Sequence, residues 1–255
     1  MAGPAGGQGG ARLHIFSHHL SPGINVIVPL LLLALAAPPG GATCDLPESS
    51  FASGAPLAAL HAAPVTDSSL AALYASGENF ETFLANAVAR RAMWLKNWEQ
   101  AEVPADVLAS ALAIPGEWRI LVSAVDGCSD SVNTIPYLAK LVALVPSLRM
   151  QIVKPGPGRV IMEAHRTPDG RPATPTVVIL DADGRDVGCW VERPAELQEL
   201  AIKARSEGKV DEFQRGKQTW YDADAGASTM REVVAVIAAA ASGTPRCLEG
   251  AAPLQ

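Results

Sequence analysis

The chain has 255 residues, of which 49% are hydrophobic and 18% charged, with a formal net charge of −6 at pH 7. This length supports one large buried core with helical additions and does not require two domains. No cluster of lysine and arginine with interleaved aromatic residues occurs, so we do not expect a nucleic acid as partner.

The first 41 residues contain the apolar run 24–37 after a start rich in glycine, alanine and proline. This run is too short to span a bilayer comfortably. The stretch Ala34-Leu35-Ala36 and the breakers at 38–41 are typical of the end of a secretory signal, which would export the protein to the periplasm or beyond. Two alternatives remain open: an uncleaved membrane-proximal segment, or sequence upstream of the true start, which would leave the protein in the cytoplasm.

Residues 42–116 form a predicted N-terminal helical region. Apolar and aromatic residues recur at helical spacing over 68–75, over 79–100 and over 103–114. This periodicity indicates amphipathic helices that pack against a core.

The period of the sequence then changes from helical to β. A β-type run at 118–125 leads through a loop with Cys128 to a predicted helix at 131–145 and a second strand at 148–153. Two strands joined by a helix form a β-α-β unit. A further helix is predicted at 156–166.

A hairpin follows. The runs 177–180 and 187–191 flank Asp183–Gly184, a pair that supplies the positive backbone angles of tight antiparallel turns. Beyond the hairpin, helical patterns occupy 194–206, 211–221 and 228–241. The rest of the chain is therefore predicted to be helical.

The four cysteines are Cys44, Cys128, Cys189 and Cys247. They include no pair at two-residue spacing, and no nearby histidine completes a zinc ligand set, so we expect no metal. If the protein is exported, Cys44 and Cys247 near the two ends of the mature chain could form a structural disulfide.

Cys128 lies directly after a predicted strand and directly before a predicted helix. A sulfur at the first turn of a helix faces unpaired N–H groups and the positive end of the helix dipole, which lower the pKa of a thiol. The neighbouring carboxylates Asp126 and Asp130 act in the opposite direction, so the sign of the net shift stays open. Ser131 could donate a hydrogen bond to the thiolate or cap the helix.

This order of elements, with Thr174-Pro175 before the hairpin, resembles the thioredoxin fold over residues 117–207. Cys128 stands at the position of the first active-site cysteine of that family. Pro136, eight residues later, matches its helix-kinking proline. Pro175 matches the cis-proline that the family places against the active site.

The resemblance implies an α/β fold, with a thioredoxin-like core of a central mixed β-sheet flanked by helices. The signal-like segment 1–41 and the N-terminal helical region 42–116 precede this core, and a C-terminal helical extension follows it at 208–255.

The chain looks closest to members whose motif reads Trp-Cys-Gly-Asp-Cys or Trp-Cys-Gly-Asp-Ser and whose last strand runs into Glu-Arg-Pro. The corresponding stretches here are Gly127–Ser131 and Glu192–Pro194. Ser131 stands where a dithiol thioredoxin has its resolving cysteine, which excludes a disulfide closed within the motif. Val122 stands where the family has a buried acid, which is a second departure.

A lone nucleophilic thiol forms a mixed disulfide that a second thiol must resolve. Cys189 is the tentative resolving thiol, because counting back from the turn places it opposite Thr174–Thr176, at the Cys128 end of the sheet. A buried, inert cysteine is the alternative. Glutathione could otherwise resolve the intermediate as a co-substrate, and no bound cofactor is expected.

Two more side chains are candidates near this site. Arg193, where the last strand ends, could hold a substrate carboxylate or pair with Asp130, or form only a surface ion pair. His165 could serve as a proton shuttle or be merely solvated on its helix.

These residues predict a thiol–disulfide oxidoreductase with one nucleophilic cysteine in a Cys-Ser-Asp-Ser motif, acting on a protein or small-molecule disulfide or thiol. The predicted catalytic residues are Cys128, Ser131 and Cys189, and the predicted substrate groove consists of Asp130, Thr174, Pro175 and Arg193. Two alternatives remain open: a redox-inactive thioredoxin fold that binds an extended peptide beside Pro175, and a glutathione-dependent monothiol protein.

Overall fold

The computed structural model of the protein describes Cys44 and residues 66–247. The predicted signal-like segment at 1–41 lies outside these residues, so export, membrane proximity and cytoplasmic location all stay predictions. The domain boundaries predicted at 116–117 and 207–208 likewise stay predictions. Within the described part of the chain, no helix has the length and hydropathy needed to cross a bilayer.

Five strands form one mixed sheet in the order β2-β1-β3-β4-β5. Their bounds are β1 Trp118–Ser123, β2 Leu148–Val153, β3 Thr176–Leu180, β4 Asp186–Val191 and β5 Arg246–Cys247. Strand β1 is parallel to β2 and antiparallel to β3, and β3 pairs with β4 as the predicted antiparallel hairpin. The short β5, which the sequence analysis did not predict, lies parallel to β4 at the edge. The predicted central mixed sheet is confirmed.

Helices flank this sheet, and further helices precede and follow it along the chain. Before the sheet come α1 Asp67–Ala75, α2 Phe80–Asn86, α3 Arg91–Gln100 and α4 Ala105–Leu112. Within and after it come α5 Ser129–Leu144, α6 Pro155–Ala164, α7 Ala195–Ser206, α8 Val210–Asp224 and α9 Ala227–Ala241. The predicted N-terminal and C-terminal helices are therefore present.

The stretch 79–100, in which the sequence shows helical spacing, contains two helices, because the chain breaks between α2 and α3. Arg90 adopts a left-handed backbone conformation with φ 54°. The backbone N–H groups of Val88 and Ala89 donate to Asp126 Oδ2 at 2.7 and 2.8 Å. The indole of Trp94 donates to the backbone oxygen of Asp126 at 3.0 Å. Asp126 thus accepts hydrogen bonds from the backbone N–H groups at the break. These contacts hold the loop that carries Cys128 against α2 and α3.

Alternating residues of the central strands pack on opposite faces of the sheet, as the period of two requires. On one face, Ile120 and Val177 join the core that includes residues of α5 and α9. On the other face, Leu121 and Val178 pack with Ile161 of α6. Helix α5 is therefore held on one face, with its N-terminus just beyond the end of β1.

Candidate functional site

Cys128 occupies the N-cap position of α5, directly after the loop that follows β1. Its Sγ accepts a hydrogen bond from the backbone N–H of Ser131 at 3.3 Å. Pro136 lies inside the helix, which continues to Leu144. The sulfur therefore lies where the helix has unpaired N–H groups and the positive end of its dipole.

Cys128 is not a lone thiol, because it forms a disulfide with Cys44, 84 residues earlier in the sequence. The prediction of a single-cysteine site is therefore not confirmed. The suggested pairing of Cys44 with Cys247 is wrong, since each of these cysteines has another partner. All four cysteines lie in the described part of the chain, and all four are paired.

Thr174 and Pro175 lie against this disulfide, and the peptide bond between them is cis. The carbonyl oxygen of Thr174 lies 3.1 Å from Cys128 Sγ. The hydroxyl of Thr174 donates to the backbone oxygen of Cys44 at 3.5 Å. The loop before β3 thus contacts both halves of the disulfide.

Asp130 is a fully buried carboxylate in the first turn of α5. It accepts hydrogen bonds from the Tyr221 hydroxyl at 2.7 Å, from Arg193 Nη2 at 3.1 Å and from Lys217 Nζ at 3.2 Å. Of the alternatives that the sequence left open for Arg193, the structure shows the pairing with Asp130, and the pair is buried rather than on the surface.

Glu192 completes this group of buried polar side chains. One of its carboxylate oxygens contacts Arg193, and the other accepts from Arg171 Nη2 at 3.0 Å. Its backbone has φ 70°, an uncommon conformation for a residue other than glycine. We call Asp130, Glu192, Arg193, Lys217 and Tyr221 the buried charge cluster.

The buried charge cluster reaches the disulfide through Ser129. Lys217 Nζ donates to Ser129 Oγ at 2.7 Å, and Ser129 Oγ lies 3.8 Å from Cys44 Sγ. The backbone N–H of Asp130 donates to the same sulfur at 3.4 Å. Each sulfur of the disulfide therefore faces one N–H group of the first turn of α5, and Cys44 also faces a hydroxyl held by an ammonium group.

Burial shifts the protonation equilibria within the cluster. It lowers the pKa of Lys217, an effect that Asp130 opposes and Arg193 reinforces. It raises the pKa of Glu192 and raises that of Tyr221 well above its ordinary value. Burial also acts to lower the pKa of Arg193, but Asp130 and Glu192 outweigh it and raise that pKa. Opposite charges thus compensate one another in a region that excludes water.

Cys189 does not reach this site. It lies opposite Val178, not opposite Thr174–Thr176, and it forms a disulfide with Cys247 of β5. A count from the two-residue turn Asp183–Gly184 already places Cys189 opposite Val178, and the register shift between Ile179 and Leu180 changes the pairing by one residue only. The prediction that Cys189 resolves a mixed disulfide at Cys128 is therefore contradicted by its position.

His165 and Ser131 also differ from their predicted roles. His165 is buried, not solvated, and its Nε2 lies 2.7 Å from Asp186 Oδ2 while its Nδ1 faces Cys247. The hydroxyl of Ser131 is buried and has no hydrogen-bond partner in the described part of the chain. Its backbone N–H, not its hydroxyl, faces Cys128, and Cys128 itself caps the helix.

Sequence reasoning missed Cys44, Lys217 and Tyr221. No local pattern connects Cys44 with a residue 84 positions away. Lys217 and Tyr221 are four residues apart on one face of α8, a spacing visible in the sequence. This spacing indicates that Lys217 and Tyr221 share a helix face, but no neighbouring residue indicates that this face contacts Asp130.

Comparisons with known proteins agree with this geometry. The profile of the thioredoxin family matches residues 77–206, just over half of the chain. A crystal structure of a protein of unknown function from Pseudomonas aeruginosa aligns with a TM-score of 0.50 and 20% identity, covering 68% of this chain and 96% of that one.

An HIV epitope scaffold aligns with a TM-score of 0.50 and 21% identity, covering 66% of this chain and 96% of that one. No curated protein matches. At these identities the two structures support the fold alone, whereas the profile match establishes the family. The chain therefore belongs to the thioredoxin family.

Proposed function

We propose that the protein is a thiol–disulfide oxidoreductase whose redox centre is the Cys44–Cys128 pair. The observation that carries this proposal is the position of that disulfide at the N-terminus of α5, against the cis peptide bond before Pro175. Cys44 supplies, from a distant part of the chain, the second thiol that Ser131 cannot supply within the motif.

The exchange proceeds in two balanced steps. In the reduced protein, the thiolate of Cys128 attacks one sulfur of a substrate disulfide, and the other substrate sulfur leaves as a thiolate that takes up a proton. The thiol of Cys44 then loses its proton and attacks Cys128 Sγ, which releases the second substrate thiol. The substrate gains two electrons and two protons, and the Cys44–Cys128 disulfide forms. The same steps in reverse oxidise a substrate dithiol.

The first turn of α5 can stabilise negative charge on either sulfur. The N–H of Ser131 faces Cys128 Sγ, and the N–H of Asp130 faces Cys44 Sγ. Because each step of the exchange transfers charge from one sulfur to another, a donor at both positions lowers the barrier in both directions.

Lys217 is the group best placed to favour the thiolate of Cys44. Its ammonium group donates to Ser129 Oγ, which lies next to Cys44 Sγ. Burial lowers the pKa of Lys217 and brings it closer to that of a thiol. Lys217 thus acts as a positioning residue, and Ser129 connects it with the sulfur.

Trapping of the mixed disulfide tests this proposal. With a labelled peptide disulfide as substrate, we expect Cys44→Ser to accumulate a covalent adduct on Cys128, because no second thiol is available to resolve it. Cys128→Ser should form no such adduct and should lose exchange activity at least about 100-fold. The control is the double variant Cys189→Ser/Cys247→Ser, which should retain the activity of the unmodified protein.

Exchange by Cys128→Ser at the rate of the unmodified protein overturns the proposal. An adduct on Cys44 in that variant instead assigns the attack to Cys44, whose exposed fraction is 8%, against 1% for Cys128.

A redox-inactive binding module is the second candidate, and the low exposure of Cys128 favours it. A groove of about 350 Å³ between α7 and α8 includes Phe213, Lys217 and Trp220 in its lining and offers an apolar surface near the disulfide. In that case the reduced protein would exchange no faster than glutathione at the same thiol concentration, and Cys128→Ser would bind its peptides with unchanged affinity.

A further inference from the structure

A second cluster of metal-ligating side chains lies on the face of the sheet opposite α5. Cys189 of β4 and Cys247 of β5 face each other across neighbouring strands. His165, which follows α6, approaches the same pair from the side. The two sulfurs and a ring nitrogen all lie within 4.8 Å of one another.

The distance between histidine and cysteine is the one that a zinc ion requires. His165 Nδ1 lies 3.6 Å from Cys247 Sγ. Two ligands at tetrahedral angles, with Zn–N of about 2.0 Å and Zn–S of about 2.3 Å, are separated by about 3.5 Å, close to this distance. The two sulfurs must in addition move apart, which they can do once they are no longer bonded.

Asp186 fixes the orientation of the histidine ring. Its Oδ2 lies 2.7 Å from His165 Nε2, and His165 is 99% buried. A proton on Nε2 satisfies this carboxylate and leaves the lone pair of Nδ1 directed towards Cys247. A carboxylate that holds the remote nitrogen of a histidine ligand in this way is a regular part of metal sites in proteins.

We propose that reduction of the Cys189–Cys247 disulfide creates a binding site for Zn²⁺ formed by Cys189, Cys247 and His165 Nδ1. An external dithiol supplies two electrons and two protons, becomes a disulfide itself, and leaves two thiols on the protein. Binding of Zn²⁺ then releases those two protons, because the ligands are the thiolates. Two soft sulfurs and one imidazole favour zinc over hard cations such as Mg²⁺ and Ca²⁺.

The other group of possible ligands in the described residues, Cys44, Cys128 and Asp130, is a poorer site for a cation. The carboxylate of Asp130 already accepts from Arg193 and Lys217, and both positive groups would repel a metal. No cationic side chain is hydrogen bonded to Asp186 or His165 in the described part of the chain. Because positive groups surround Asp130 and none within the described residues is hydrogen bonded to His165 or Asp186, we place the zinc site at Cys189 and Cys247.

Metal titration of the full chain tests the proposal. The background is the double variant Cys44→Ser/Cys128→Ser, so that Cys189 and Cys247 are the remaining thiols. After reduction by a phosphine and its removal without oxygen, we expect one Co²⁺ per chain, with the intense visible absorption of tetrahedral cobalt–thiolate, and its displacement by Zn²⁺. The oxidised protein should bind neither metal at this site.

Two substitutions in the same background connect the signal with these residues. His165→Gln should weaken Zn²⁺ binding at least about 100-fold, and Asp186→Asn about 10-fold, because one removes a ligand and the other its orienting partner. Asp183→Asn, in the exposed turn before β4, is the matched control and should change nothing. Circular dichroism of each reduced variant verifies that the chain remains folded.

Absence of a stoichiometric metal in the reduced, folded double variant overturns the proposal. Unchanged affinity in both His165→Gln and Asp186→Asn overturns it as well, since the metal would then be bound elsewhere. Asp186→Asn leaves all three ligands in place, so it remains informative even if His165→Gln fails to fold.

Discussion

The two disulfides of this protein lie in different chemical surroundings. Both sulfurs of Cys44–Cys128 face N–H groups at the start of a helix, beside a cluster of buried charges. Cys189–Cys247 joins two neighbouring strands at the sheet edge, beside the hydrogen-bonded pair of His165 and Asp186. Cys128 and Cys189 are both buried, so burial does not distinguish the two disulfides. The two disulfides differ in the neighbouring groups that can stabilise a thiolate.

Loop length does not distinguish the two disulfides either. Their cysteines are separated by 84 and 58 residues. In the chain-entropy description, this difference changes the stabilisation by only about 0.3 kcal/mol. Any larger difference in how easily the two bonds are reduced must come from the local environment of each thiol.

The largest expected effect comes from neutralising Asp130. Asp130→Asn leaves the buried cations Arg193 and Lys217 without their shared carboxylate. Breaking a buried ion pair in this way destabilises a protein by about 3–5 kcal/mol. Urea unfolding of the oxidised protein at neutral pH measures this loss.

Asp222→Asn is the matched control for that substitution. Asp222 pairs with Lys96, and both side chains are about half exposed. An exposed pair of this kind contributes about 0–1 kcal/mol. Equal losses for the two variants would contradict the view that burial of the charge cluster makes it structurally essential.

A smaller effect is expected at the second disulfide from Gly188→Ala. A Cβ atom there would lie 2.5 Å from Val236 Cγ1 and 2.7 Å from the backbone oxygen of Arg246, next to Cys247. We expect a loss of about 1–3 kcal/mol and less Cys189–Cys247 disulfide at equilibrium in a glutathione buffer. Gly216→Ala in α8, where nothing lies within 4 Å, should instead stabilise by about 0.5–1 kcal/mol.

Disulfide populations from differential alkylation and mass spectrometry provide the second measurement on Gly188→Ala. Only the edge disulfide should respond, because Cys44–Cys128 lies at the N-terminus of α5. Equal losses of both disulfides would show that the two sites are coupled, which contradicts their separate treatment.

Lys217→Met tests the charge difference directly. Removal of the ammonium group next to Ser129 disfavours a thiolate at Cys44, so the pH midpoint of thiol alkylation should rise by about one unit. The alkylation rate of Cys44 in the reduced protein, followed from pH 5 to 10 in a Cys128→Ser/Cys189→Ser/Cys247→Ser background, measures it. Lys203→Met, in the exposed lining of the neighbouring groove, should leave the midpoint unchanged. A midpoint that falls or stays constant in Lys217→Met contradicts the role assigned to this lysine.

Much of the core and part of the site could be predicted from the sequence because the signals are local. The hairpin follows from an Asp-Gly turn between two β-type runs, and Cys128 lies at a change of period from strand to helix. Pro175 is recognisable from its place before the third strand. Each of these features depends on neighbouring residues, whose chemistry restricts the backbone directly.

The missing part of the site depends on contacts between distant segments. Cys44 pairs with Cys128 across 84 residues, and Lys217 and Tyr221 reach Asp130 from a helix outside the predicted core. Periodicity shows which face of a helix such residues occupy, but it does not show which distant residue they contact. The predicted position of Cys189 was wrong for another reason, because a count from the Asp183–Gly184 turn leads to Val178 and not to Thr174–Thr176, and the hairpin irregularity changes this pairing by one residue only.

The smallest expected effect is a dependence of stability on pH that involves Glu192. Burial raises the pKa of this carboxyl group, although Arg193 and Arg171 oppose the shift. A raised pKa in the folded state stabilises the protein fully below the unfolded value of about 4.3, and this contribution is lost as the pH rises through the folded value. Glu192→Gln cannot lose a proton, so its stability relative to the unmodified protein should increase between pH 4 and pH 7.

Glu207→Gln provides a comparison of opposite sign. Glu207 is exposed, and its hydrogen bond with Lys209 lowers its pKa, so the stabilising contribution of this group grows as the pH rises from the folded pKa and is complete above the unfolded value. Relative stability of Glu207→Gln should therefore decrease slightly over the range in which that of Glu192→Gln increases. Urea unfolding of both variants at pH 4, 5.5 and 7 measures the two trends. Parallel trends would mean that burial does not control the protonation of Glu192, and the buried cluster would then lose its distinction from the exposed charges around it.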